Sequence, residues 1–245
     1  MNFLNFYILP IILGLIPIVI WLIFFLWQDI KKPEPTKWLI KAFLLGIIIV
    51  PIVALIQYSW SFLINIDPNH KFQLANFTFS IAIFYLGAAF IEEIAKFFSA
   101  FFFLKKNSHF NEVIDAMIYP IVVAMGFAAV ENILFVSAEM RQGIIIALPI
   151  QILVLRFIGA NLLHAICSGI IGFFWSKQLL SKKWFYLIVG IILSTILHWL
   201  FNLVIIVFGA EVIFLLAIIL FIITLFLLWA FDFLSKIKIL VEHKL

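Results

Sequence analysis

The sequence predicts an all-α fold, a polytopic membrane helix bundle of about seven transmembrane helices, and three observations lead there. First, 67% of the 245 residues are hydrophobic against 11% charged, with a mean hydropathy of +1.27. A bilayer solvates that much apolar surface directly, whereas a soluble domain of this length cannot bury it. Second, the apolar residues gather into runs close to the ~20 residues that cross hydrocarbon as a helix, without the period-two alternation of barrel strands. Third, the basic residues sit in alternate breaks between those runs.

The first run, 3–27, has no basic leader and no small-residue cleavage site, so an uncleaved span is expected. The break KKPEPTK at 31–37 reads as a short extended linker. The second run, 39–66, is almost wholly apolar, and the third, 77–104, contains the stretch FIEEIAKFF. The fourth run covers 116–137, and 143–151 is apolar but too short to span, which suggests an interfacial or re-entrant segment. Runs 152–175, 184–208 and 212–233 complete the set. No internal repeat or soluble domain is visible, so one integral membrane domain over 1–245 is expected, with its motif-bearing core at about 80–205.

Of the 16 lysines and arginines, Lys96 and Arg156 lie inside runs away from the lysine-bearing breaks, and only Lys71 and Arg141 lie in loops on one side, with Lys41 counted with the break that its run adjoins. The others fall on the opposite side: Lys31 to Lys41, Lys105 and Lys106, Lys177 to Lys183, and the tail. The positive-inside rule then puts the amino terminus outside and the carboxyl terminus in the cytoplasm of a cell-membrane protein. The net charge of +4 is thereby read as topology signals facing membrane lipid, and no nucleic-acid partner is expected. Trp27, Trp38, Trp60, Trp175 and Trp184 stand at run ends, as an aromatic belt places them. The single cysteine, Cys167, excludes an internal disulfide framework and any C-x-x-C site.

Ionisable residues deep inside the runs point to function, because a central Lys, Arg or Asp costs roughly 2.5–3.5 kcal/mol, so such residues normally face a bundle interior or water. They are Glu92, Glu93 and Lys96 in the third run, Glu131 in the fourth, Arg156 and His164 in the fifth, and His198 in the sixth. Lys96 is i+4 to Glu92 and i+3 to Glu93, so it can pair with either and leaves one carboxylate over. Asn132 adjoins Glu131, Ser168 lies one turn after His164, and Asn202 lies one turn after His198. Small residues accompany them, among them Gly87, Gly126, Gly159, Gly169 and Gly172, and small residues let membrane helices approach closely. The third to sixth runs are therefore expected to form the core, with the first, second and seventh peripheral. Arg156, near an outer end, is expected to snorkel, and Asp115 to favour a helix amino end.

Two carboxylates and two imidazoles in a dry cavity suit hydrolysis. Either glutamate, Glu92 or Glu93, could activate water, with Asn202 or a histidine donating to the oxyanion. Alternatively His164, His198 and a glutamate, Glu92 or Glu131, could hold Zn²⁺ with an open position for water. A metal-free glutamate mechanism stands beside it. Neither H-E-x-x-H nor the glycine that a rhomboid-type serine requires before Ser168 is present.

Glu92-Glu93-Ile94-Ala95-Lys96, Gly126-Phe127 through Glu131-Asn132, His164 with Ser168-Gly169, and His198 with Asn202 together resemble the PrsW family of intramembrane proteases. That family is distantly similar to CAAX prenyl endopeptidases and bacteriocin-immunity membrane proteins, which commonly carry a histidine where this chain has Glu131. The resemblance implies an endopeptidase that cleaves a single-pass membrane protein near its extracytoplasmic side, of the anti-sigma-factor kind. It assigns Glu92, Glu93, Glu131, His164 and His198 to the motifs. The competing reading is non-enzymatic: a proton- or cation-coupled carrier, or an immunity or scaffold protein of the same fold.

Overall fold

Hydrocarbon offers no partner to a backbone N–H or C=O, so each apolar run closes its hydrogen bonds within itself as a helix. The computed structural model describes residues 8–30, 32–65, 79–105, 107, 109–141 and 153–237. Its helices are α1 (Leu9–Leu26), α2 (Thr36–Leu63), α3 (Phe79–Leu104), α4 (Asp115–Arg141), α5 (Leu153–Ser181), α6 (Phe185–Phe208) and α7 (Ile213–Ser235). Six are long and apolar enough to cross a membrane. The exception, α3, is 26 residues long but carries Glu92, Glu93 and Lys96 along its middle. The stretch 143–151 and Lys71 lie outside the described residues.

The core is built around α4, which is buried without interruption from Asp115 to Ala129. Glycine makes this possible. A Cβ on Gly126 would stand 2.0 Å from the Phe43 carbonyl oxygen, and one on Gly46 would stand 2.0 Å from that of Val123, so α2 and α4 touch backbone to backbone. A Cβ on Gly172 would lie 2.3 Å from the Ala116 carbonyl oxygen, which sets the same intimacy between α4 and α5. The second helix is thus less peripheral than its composition suggests. Outward faces remain apolar, as at Ile48, Ile52 and Leu55 on α2 and Phe214, Leu215 and Ile218 on α7, where they meet lipid.

Contacts at one end of the bundle join the lysine-bearing breaks. Lys32 pairs with Glu112, Trp38 lies 6.1 Å from the His109 ring, and Lys177 sits 4.4 Å from the Phe233 ring. Glu34 of the linker accepts a hydrogen bond from the Tyr119 hydroxyl, and burial raises its carboxyl pKa above the ordinary range. Successive helices therefore run in opposite directions, as the alternation of charge requires.

Two local features depart from the sequence reading. Helix α5 continues to Ser181, so Trp175 is not at an interface but fully buried, stacked 5.2 Å from Phe110 and edge-on to Phe97. Within α5, residues Phe157–Asn161 form a π turn. Trp21 of α1 donates its indole N–H to the Phe157 carbonyl at 2.9 Å and stacks on the Phe157 ring at 5.0 Å. A π turn widens a helix by one residue and alters the rotational phase of the next turns, which here carry Leu163 and His164.

Candidate active site

The middle of α3 presents its charges in two directions, because neighbouring helical residues differ by about 100°. Glu93 turns into the bundle, where its Oε1 accepts from Lys96 Nζ at 2.6 Å and from His198 Nδ1 at 2.8 Å. Glu92 turns to an adjacent cavity, its Oε1 held by Gln57 Nε2 of α2 at 2.9 Å and its Oε2 without a hydrogen-bond partner among the described residues. The two glutamates that the sequence leaves equivalent are thereby distinguished.

Lys96 is fully buried, and its ammonium also lies 3.0 Å from His164 Nδ1. An ammonium only donates, so Nδ1 accepts and the His164 proton sits on Nε2, 2.9 Å from Glu131 Oε2. Arg156 donates to the same Glu131 oxygen through Nη2 at 3.0 Å and to Asn132 Oδ1 through Nε at 2.6 Å. Asn132 in turn donates to the Gly14 carbonyl of α1 at 3.1 Å. One hydrogen-bonded chain therefore runs from Gly14 through Asn132, Arg156, Glu131, His164, Lys96 and Glu93 to His198. Every buried charge in it has a counter-charge, which such a network requires.

A cavity of about 420 Å³ opens beside this chain. Glu92, Glu131, His164, His198 and Asn202 line it, with Arg156 and Tyr85, and its remaining wall is apolar. The candidate catalytic residues thus converge, save Glu93, which stands behind His198. Lys96 and Asn132 are buried in the supporting network, and Ser168 is buried one turn beyond His164, off the cavity. Arg156 does not snorkel as expected: it folds inward over the Phe135 ring, 4.3 Å from its centroid, to hold Glu131. Gln57 also escapes the sequence reading, although a lone amide in an apolar run is itself a signal of interhelical bonding.

One oxygen or nitrogen from each of Glu92, His164 and His198 lies within 4.8 Å of the others, a set that could hold a metal ion. Glu92 Oε2 has no hydrogen-bond partner among the described residues, and with Nδ1–H of a neutral His198 bonded to Glu93, its Nε2 turns a lone pair toward that oxygen, 3.7 Å away. A carboxylate behind a histidine that faces a metal is the usual support for such a ligand. Glu93, Cys167 and His198 form a second grouping, behind the cavity. Three carboxylates face two cations here, so the formal excess is one negative charge, which a proton or a cation can neutralise.

Comparisons with known proteins identify the family. Residues 34–229 match the model of a family described as PrsW family intramembrane metalloprotease. Protease PrsW of Clostridioides difficile (strain 630) is 27% identical over 237 residues, 95% of this chain and 91% of that protein. Protease PrsW of Geobacillus kaustophilus (strain HTA426) is 28% identical over 192 residues, 77% and 76% of the two chains. Protease PrsW of Bacillus subtilis (strain 168) is 26% identical over 192 residues, 76% and 77%. No solved structure matches. With a match across residues 34–229 and six helices long and apolar enough to cross a membrane, this chain belongs to the PrsW family of intramembrane proteases and is a multi-pass membrane enzyme.

Proposed function

We propose that the chain hydrolyses a peptide bond of a single-pass membrane protein, an anti-sigma-factor-like substrate, on the extracytoplasmic side of the membrane. The observation that carries the residue assignment is Glu92 Oε2, a buried carboxylate oxygen without a hydrogen-bond partner among the described residues, facing a cavity that also holds both histidines. In this reading Glu92 Oε2 takes a proton from the attacking water. The Asn202 amide donates to the developing oxyanion, and the proton that Glu92 has taken from water passes to the leaving amine, which restores the carboxylate, while His164 Nε2–H stays on Glu131 and fixes that wall of the cavity. Glu93 and Lys96 fix the tautomers of His198 and His164 without touching substrate.

The donor geometry supports a second form of the same reaction. Glu92, His164 and His198 would hold a divalent ion such as Zn²⁺, a His₂Glu set like that of other catalytic zinc sites. Bound there, the ion would acidify water and polarise the scissile carbonyl. Glu131, the other carboxylate lining the cavity, then becomes the base.

The test is cleavage of a candidate single-pass substrate by purified wild type, Glu92→Gln, and His164→Ala/His198→Ala, before and after chelation, with metal content determined in parallel. Glu92→Gln should lower the rate by about a hundredfold or more. Loss on chelation, restored by Zn²⁺, would assign the metal form. Full cleavage by a folded Glu92→Gln protein would sink the assignment.

A further inference from the structure

The donor set that would take a metal is partly occupied by the protein's own cation. His164 has two ring nitrogens, and Lys96 constrains both. Its ammonium lies 3.0 Å from Nδ1 and therefore uses the lone pair there. A neutral imidazole that binds a metal through Nε2 must instead carry its proton on Nδ1, and that N–H would point at the three N–H donors of the lysine. Binding through Nδ1 would displace the lysine outright. Either geometry requires Lys96 to release His164.

Among the described residues, no hydrogen bond ties up the facing atoms of the other two groups. His198 Nε2 and Glu92 Oε2 face each other at 3.7 Å with no bond between them, and the Glu93 carboxylate supports His198 from behind. Lys96 itself has other anchors: Glu93 Oε1 at 2.6 Å, Glu92 Oε2 at 4.0 Å, and the Phe127 ring, 5.1 Å from its nitrogen. It can leave His164 and remain paired.

We propose that Lys96 is a tethered cation that competes with a divalent metal ion for His164, so that the folded protein presents two open ligands and one closed one until the lysine withdraws. Lys96 is in this sense a positioning residue that sets metal affinity. The inference rests on the Glu92, His164, His198 metal set given above.

Full-length protein in detergent is titrated with Co²⁺, monitored by the visible absorption of the bound ion and by metal content after gel filtration. The variants are His164→Ala, Lys96→Met, Lys96→Met/Glu93→Gln, and each Lys96 variant with His164→Ala added. The double change removes both charges of the buried pair, so it keeps the test open if Lys96→Met alone does not fold, and glutamine still accepts from His198 Nδ1. The expected result is Co²⁺ binding at least about tenfold tighter than in wild type, with the gain abolished by His164→Ala. Equal or weaker binding without Lys96, or a gain that survives His164→Ala, overturns the inference. If wild type and Lys96 variants bind equally and His164→Ala weakens both, the metal set stands and the role of Lys96 falls. If none of these proteins binds Co²⁺, both fall.

Discussion

Arg156 shows how much one side chain can organise. Its guanidinium offers a planar fork, one branch on Asn132 and one on Glu131, and so fixes the oxygen to which His164 donates. A lysine keeps the charge and loses the fork. Arg156→Lys and Arg156→Gln should therefore both lower kcat by about tenfold to a hundredfold, as slight misplacement of reacting groups does, with little change in KM. A steady-state comparison of the folded variants checks this, and unimpaired Arg156→Lys would mean that charge alone suffices. The groups visible in the sequence were those with no bland explanation in lipid: Glu92, Glu93, Lys96, Glu131, His164 and His198. Arg156 had one, since arginines near span ends commonly reach for water. Which of Glu92 and Glu93 faces the cavity was not legible either, because that depends on how α3 is rotated against α2 and α6, a property of packing.

Among the elements, α5 is the one whose exact path matters most. Its π turn at Phe157–Asn161 is pinned from α1, where Trp21 holds the Phe157 carbonyl. Arg156 stands before the turn and His164 after it, so their relative orientation depends on that widened segment. Trp21→Phe keeps the stacking and removes the N–H. It should cost about 1 kcal/mol of stability, the usual worth of one hydrogen bond, and should lower activity although Trp21 does not line the cavity. Thermal unfolding in detergent and a cleavage assay on the same preparation read both effects, and unchanged values for both would detach the π turn from function. Helix existence was legible from hydrophobic runs alone, whereas α5 was expected to stop near Trp175. The tryptophan looked like an interface marker, but the ring cluster of Phe97, Phe101 and Phe110 offered it a buried place and the helix continued.

For the molecule as a whole, the alternation of lysines and the antiparallel packing agree on which helix ends lie together, and the compartment they face is open to direct test. With the amino terminus outside, a cysteine at exposed Lys183 should react with a membrane-impermeant thiol reagent only after cells are opened, and one at exposed Glu211 in intact cells. Native Cys167 is buried and contributes no background. The reverse pattern would invert the topology and place the cavity toward the cytoplasm. The hydrogen-bonded chain from Gly14 to His198 has a further meaning when the order of synthesis is considered. Its links come from α1, α4, α5, α3 and α6, with Gln57 of α2 fastening Glu92. A nascent polypeptide delivers those helices to the bilayer one after another, and the last contributor arrives when most of the protein has been translated. Until then no complete set of reactive groups exists. The site is in this way assembled late in synthesis, once the helix that carries His198 has joined the bundle.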